Sequence, residues 1–171
     1  MKKLCGAAAI ILACFWTALD RLREKQKRIR LMRRLASSLL ELQDELAEHQ
    51  SSLSGCFRSL AAKNAGDAVG GFYAALCGEM LGLGELRFSE IWRMAAEKCF
   101  APAGEAVPDA LRPLGALLGG SELERQCAAL ERASRRLEQE AETQRNVLKN
   151  ERRLCFGLSL SAGAFLVIML M

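Results

Sequence analysis

The sequence predicts an all-α protein: a cytosolic antiparallel helical bundle flanked by an N-terminal and a C-terminal transmembrane helix. Three observations predict it. Residues 4–19 and 154–171 form uncharged runs of sixteen and eighteen residues, and all twenty acidic side chains lie between them, from Asp20 to Glu151. The intervening 134 residues are rich in Ala, Leu, Glu and Arg and poor in β-branched residues, a composition that favours helix. Their apolar side chains recur at helical spacing, and the length suits one domain with one core.

Each element follows in order. A bilayer core about 30 Å thick takes ~17–25 apolar helical residues, so 154–171 qualifies as a span. The run at 4–19 is slightly short unless Lys2 and Lys3 snorkel to the interface. A rival reading, a signal cleaved before Cys14, is opposed by the apolar run continuing through Phe15, Trp16 and Leu19. The helix at 20–48 is basic at its start and carries Leu31, Leu35, Leu39, Leu42 and Leu46 on one face. No breaker separates it from the first apolar run.

Short helices fill 53–118. Leu53, Phe57, Leu60 and Ala61 mark one, ending near Lys63-Asn64-Ala65-Gly66, and Phe72 to Met80 marks the next. Ser89 is the expected N-cap of a helix through Ile91, Trp92 and Cys99. The stretch 101–108, with Pro102, Gly104 and Pro108, reads as a break before a helix from Asp109 to Leu118 that Gly119-Gly120 stops. Ser121 and Glu124 form a capping box for a long helix at 121–153 that runs on into the second apolar run. Residues 121–171 as one helix would extend about 75 Å. Its seam of Leu123, Cys127, Leu130, Ser134, Leu137, Ala141, Gln144 and Leu148 alternates by four and three. Such a seam packs either on the 31–46 face of its own chain or on a second copy as a homotypic coiled-coil tether.

The formal charge of +4 conceals an asymmetry. Residues 20–34 carry eight basic side chains against two acidic, and 35–153 carry fourteen against eighteen. Base-stacking aromatics do not interleave the basic stretch, which argues against nucleic acid. Beside an apolar run, such residues mark the cytoplasmic flank and attract anionic headgroups, which makes membrane lipids the expected partner. Arg145, Lys149, Arg152 and Arg153 flank the second run in the same way. Both termini are then outside and the middle segment is in the cytosol.

No catalytic or metal signature stands out. The seven cysteines include no CxxC, and His49 is the only histidine, so neither metal nor cofactor is expected. Cys56 with His49 lacks a third group to orient the imidazole, and the glycines between 66 and 84 precede no Gly-Lys-Ser/Thr. A non-enzymatic protein is expected. Glu41, Asp44, Glu45 and Glu48 fall at i, i+3, i+4 and i+7 and make one acidic stripe, either a solvated face or a docking surface for a basic partner.

Several segments resemble one known family. Leu39-Leu40-Glu41-Leu42-Gln43-Asp44-Glu45-Leu46 through Ser51-Ser52-Leu53 is similar to its "L..L..EI.Y..TPL" stretch, and Ile91-Trp92 to its central tryptophan motif. Leu114-Gly115-Ala116-Leu117-Leu118-Gly119-Gly120-Ser121-Glu122 through Gln126 resembles "LG..LG.SD...Q". The pattern is that of stage III sporulation protein AB of endospore-forming bacteria. Glu48 stands where the family has tyrosine, Ser52 where it has proline, and Glu122 where it has aspartate.

The resemblance implies a platform component of the secretion-like channel between mother cell and forespore, related to F-type platform proteins of type II secretion and type IV pilus systems. It places the chain in the outer forespore membrane, with its helical domain in the mother-cell cytosol. Other channel subunits, among them a secretion-type ATPase, are the implied partners. Turns around 50–54 and 119–121 would form the tip that the ATPase meets. Glu41, Asp44, Glu45, Glu48 and Gln126 are the candidate partner-binding residues. Trp92, Gly115, Gly119 and Ser121 are expected to be structural: a core anchor, a close-packing and a helix-ending glycine, and a cap. The soluble region is expected to be a monomer or a weak homo-oligomer.

Overall fold

The computed structural model describes residues 2–49, 52–80, 87–120 and 122–170, with side chains for 16–17, 19–47, 52–80, 87–102, 104–120 and 122–154. Among the described residues there are six α-helices and no strand: α1 Lys2–His49, α2 Leu53–Lys63, α3 Ala68–Met80, α4 Phe88–Phe100, α5 Ala106–Leu118 and α6 Leu123–Leu170. A 3-10 turn at Ala101–Ala103 joins α4 to α5. The fold is an all-α bundle. It divides into two compact units, Arg30–Ala141, and Met1–Ile29 with Glu142–Met171; α1 and α6 contribute to both.

The larger unit is organised on the apolar stripe of α1. Met32, Leu35, Leu39, Leu42 and Leu46 are buried, at steps of three and four. Leu31, expected on this stripe, is only half-buried, and Met32 takes the inward place. On α6 the seam residues Leu130, Leu137 and Ala141 are buried within the same chain. The serine that interrupts the seam is used rather than tolerated. Ser134 is buried, and its hydroxyl donates to the Ala36 carbonyl of α1 at 2.9 Å. With Leu130 and Leu137 covered by their own chain, a homotypic coiled coil through this part of the seam would first have to unpack the bundle.

An aromatic cluster ties the short helices together. Trp92 of α4 is fully buried, edge-on to Phe72 of α3 at 5.0 Å between ring centres and 6.1 Å from Phe57 of α2. Phe72 also meets Phe100 at 5.1 Å, and Phe57 lies 5.8 Å from Tyr73. A buried indole needs a partner for its N–H, and Trp92 Nε1 donates to the Leu111 carbonyl of α5 at 2.9 Å. Gly115 lets α5 approach this closely: a β-carbon there would stand 3.0 Å from Trp92 Cβ and Cδ1. Trp92 thus sits fully buried where α2, α3, α4 and α5 meet.

The helix ends show where local chemistry beat the sequence pattern. Ser52 caps α2, accepting from the Gly55 N–H at 3.4 Å. α3 begins at Ala68, not near Phe72, because the Asp67 carboxylate accepts from the Val69 and Gly70 N–H groups at 2.9 and 3.0 Å. The turn before it requires Gly66 at φ +94°, and Gly70 must lack a side chain because a β-carbon would lie 2.0 Å from the Asn64 carbonyl oxygen. α4 starts at Phe88 rather than after Ser89, since Glu90 reaches back to the Arg87 N–H at 3.4 Å. α5 starts at Ala106, earlier than Asp109, with Pro108 in its first turn, where a missing N–H is tolerated. It ends at Leu118 with Gly119 still right-handed at φ −81°, so no left-handed cap stops it. The expected Ser121 cap lies outside the described residues; the first helical bonds of α6 are accepted by the Glu122 carbonyl.

In the smaller unit, Lys25 of α1 and Glu151 of α6 pair at 2.6 Å, while Ile29 and Leu148 are buried. Among the described residues no helix is long and apolar enough to cross a membrane. The side chains of 4–15 and 155–171, which make up most of the two expected spans, lie outside the described set.

Two outcomes are expected. Gly115→Ala overpacks the Trp92 contact and should destabilise the bundle by about 1–3 kcal/mol, read as a lower urea midpoint of Trp92 fluorescence in a Trp16→Phe background. Asp67→Ala removes a cap and should cost about 0.5–2 kcal/mol at neutral pH. Partial burial opposes the Asp67 charge, but hydrogen bonds from Gly70, Arg34 and Val69 outweigh it and hold the carboxyl below its ordinary 3.8. A carboxylate so depressed stabilises fully above that value and loses its effect as pH falls through the folded value. The charge-dependent part of the difference between Asp67→Ala and the parent should therefore fade below about pH 4.

Candidate functional site

The acidic stripe of α1 is divided by what lies beneath it. Leu42 and Leu46 point into the core, which sets Glu45 at its margin, half-buried beside α2. Its Oε1 accepts from the Ser59 hydroxyl and the Lys63 ammonium, each at 2.8 Å. The Lys63 ammonium is held above its ordinary value, chiefly by that hydrogen bond and then by the Glu45 charge. Glu45 is thus a tie between α1 and α2. Glu41 and Asp44 are exposed, and the Glu48 side chain lies outside the described residues.

Leu40, one of the few large apolar side chains left exposed, sits one helical turn from Asp44. The surface is therefore two carboxylates around an apolar side chain, suited to a basic partner that also offers something greasy. The tandem Leu39-Leu40 is the sequence signal for it, because only one of two adjacent helical residues can face the core. Asp44 also lies near α6. Burial pushes the Cys127 thiol up, its own backbone hydrogen bond opposes this, and the Asp44 charge adds to the rise. Cys127 directly follows Gln126, so the structure brings Asp44 close to the start of α6, where that candidate residue stands.

Gln126 itself is half-buried, and its amide donates to the Leu118 carbonyl at 3.3 Å, closing the last turn of α5. Gly119 packs on Phe88, whose Cδ1 would lie 3.3 Å from an added β-carbon. Gln126, Gly119, Gly115 and Trp92 therefore share one structural task, the seating of α5 against α4 and α6. Ser121 and the tip residues Gln50 and Ser51 lie outside the described residues.

Cys56 is buried in α2, and its thiol is pushed up first by burial and then by the charge of Glu45. Both effects disfavour the thiolate that a nucleophile requires. The His49 side chain lies outside the described residues. Among the described residues no cluster of three His, Cys, Asp or Glu is placed to hold a metal ion.

The family model of stage III sporulation protein AB matches residues 3–171. The chain belongs to that family. The match runs through both apolar ends and every helix of the bundle, including the Leu114–Gln126 segment whose close packing is described above. Among curated proteins and among solved structures, none matches the chain.

The division of the stripe has a direct check. Glu45→Ala should lower the urea midpoint, whereas Glu41→Ala and Asp44→Ala should leave it within about 0.5 kcal/mol of the parent.

Proposed function

We propose that this member of the stage III sporulation protein AB family is a membrane platform subunit of the secretion-like channel complex between mother cell and forespore. Two terminal spans seat it in the outer forespore membrane, and its helical unit faces the mother-cell cytosol. There it docks the secretion-type ATPase of the complex through the exposed part of the α1 stripe.

One observation carries the reading. Every acidic residue lies between two uncharged runs, 4–19 and 154–171, and α1 and α6 each continue unbroken from one of those runs into the bundle. Charge that is confined between two apolar runs, with basic residues at both inner borders, is the pattern of a cytosolic segment tied to a bilayer at each side. Family membership supports the sporulation role. The docking part is supported by Glu41, Asp44 and Leu40, which are exposed while their neighbour Glu45 is engaged with α2. Complementary charge at such a surface raises encounter rates and excludes wrong partners, and the apolar side chain adds contact area.

Topology and docking are tested separately in sporulating cells. In a chain whose seven native cysteines are replaced by serine, Glu41→Cys should react with a membrane-impermeant maleimide only after permeabilisation; labelling in intact cells would invert the topology and remove the internal motor. A photo-crosslinker at Asp44 should capture the complex's ATPase. Charge reversal by Glu41→Lys should cut that yield about tenfold, given ~1.4 kcal/mol or more from a lost favourable charge and an added repulsion. An unchanged yield removes the docking surface and leaves the platform.

A further inference from the structure

We propose that the smaller unit carries a headgroup site for anionic phospholipid on α6, built from Lys149, Arg152 and Arg153 with Asn146 and Asn150. The site rests on the membrane-anchored reading above and adds to it a lipid class and the residues that select it.

Lys149, Arg152 and Arg153 are exposed, as are Arg21, Arg23 and Arg28 on α1, and none of these six makes an ion pair or hydrogen bond among the described residues. Their neighbours differ. Lys25 is held by Glu151 at 2.6 Å, and Lys27 lies 3.8 Å from Glu24. The Lys25–Glu151 pair also fixes where the two helices meet. All six free cations lie within four residues of one or other member of that pair, which is about 6 Å along a helix axis. On α6, Lys149 and Arg153 stand two residues either side of Glu151 and so project from the side of the helix away from that pair, where they share one face with Asn146 and Asn150.

The surface there has the chemistry of phosphate recognition. A shallow depression of about 780 Å³ is lined by Asn146, Lys149, Asn150, Arg152 and Arg153, with no carboxylate among these residues. Two guanidinium groups, an ammonium and two amides offer many donors to phosphate oxygens, and arginine does so with a planar fork.

Apolar neighbours point to a bilayer rather than to a soluble anion. Trp16 of α1 is 70 % exposed and Leu154 of α6 is 66 % exposed, at the borders where the basic stretches give way to the uncharged runs. A tryptophan with its ring in solvent at such a border suits the headgroup level, where its apolar body and its N–H are both satisfied. Free cations on one side and bare apolar side chains on the other match the two layers of a leaflet surface. Within about 6–8 Å of that surface, inside a Debye length, basic side chains respond to anionic lipid.

The test uses the full chain, purified in mild detergent and passed through mixed micelles of phosphatidylglycerol or phosphatidylcholine, with retained lipid per chain counted by mass spectrometry. Phosphatidylglycerol should be retained at least about fivefold over phosphatidylcholine, the factor expected for a single cation near an anionic surface. The variant Lys149→Gln, Arg152→Gln, Arg153→Gln should retain both alike. A matched loss of charge on the same helix, Arg132→Gln, Arg135→Gln, Arg136→Gln, should keep the preference. Equal retention of both lipids by the parent, equal loss in both triple variants, or displacement of phosphatidylglycerol by a short DNA duplex would overturn the site. A parent chain that spans the membrane by maleimide labelling yet retains both lipids alike loses the headgroup site alone. A chain that leaves the membrane without detergent loses the platform reading as well.

Discussion

The apolar stripe of α1 from Met32 to Leu46 is the constraint on which the bundle depends. A helix with a continuous row of buried leucines cannot stand alone in water, so something must cover every turn of it. Each such side chain is worth ~1.5–3 kcal/mol when buried, whereas an exposed ion pair contributes ~0–1 kcal/mol. The tie of Lys63 to Glu45 and that of Arg34 to Asp67 therefore orient α2 and the turn before α3 more than they hold the bundle together. Burial supplies the force; the polar contacts choose the register.

Buried polar groups do that choosing. Ser134 on α6 finds the Ala36 carbonyl, Ser38 on α1 shares a hydrogen bond with the Tyr73 hydroxyl at 3.2 Å, and Trp92 finds the Leu111 carbonyl. Sliding α6 by one residue, or rotating α3, would leave a buried hydroxyl without a partner, at ~1–3 kcal/mol each. Burial pushes the Tyr73 phenol far above its ordinary value, so it remains a neutral hydrogen-bonding group at any pH the bundle meets. A stripe of leucines alone would admit several registers. These few polar atoms remove the alternatives.

Much of this was legible in the sequence, and the exceptions have a common cause. The α1 stripe, the α6 seam, the burial of Trp92 and the end of α5 near Gly119 follow from local periodicity and local punctuation. What the spacing of apolar residues misses is the specific partner a residue meets, whether a few positions away or far along the chain. Gly70-Gly71 hides the first turn of α3, because glycine is a poor helix former, until Asn64 is seen pressing against Gly70. Glu45 looks like its neighbours Glu41 and Asp44 until α2 is laid beside it. Ser134 reads as a flaw in a heptad until Ala36 is opposite. Leu31 and Met32 are equivalent by spacing, and only the packing decides which turns inward. Family membership was legible through the glycine-rich Leu114–Gln126 segment, in which Trp92 crowds any side chain at Gly115 and Phe88 crowds one at Gly119, while Gly120 is open.

The basic stretch at 20–34 carries the same lesson into function. Counted along the chain it is a block of eight like charges, and a block of that kind invites a single role. Folded, it divides. Arg34 serves Asp67 within the larger unit, Lys25 joins α1 to α6 through Glu151, Lys27 lies beside Glu24, Arg33 is engaged, and Arg21, Arg23, Arg28 and Arg30 are left to the solvent. Only the last group has charge to offer another molecule. An ion pair already formed at 2.6 Å must be broken before either member can serve a ligand, and the repulsion of nearby like charges makes that exchange still less favourable. The free charge at the border of the apolar ends is accordingly smaller than composition suggests. It is also better defined, because the pair of Lys25 with Glu151 fixes which faces of α1 and α6 meet and leaves the remaining cations on the outer faces.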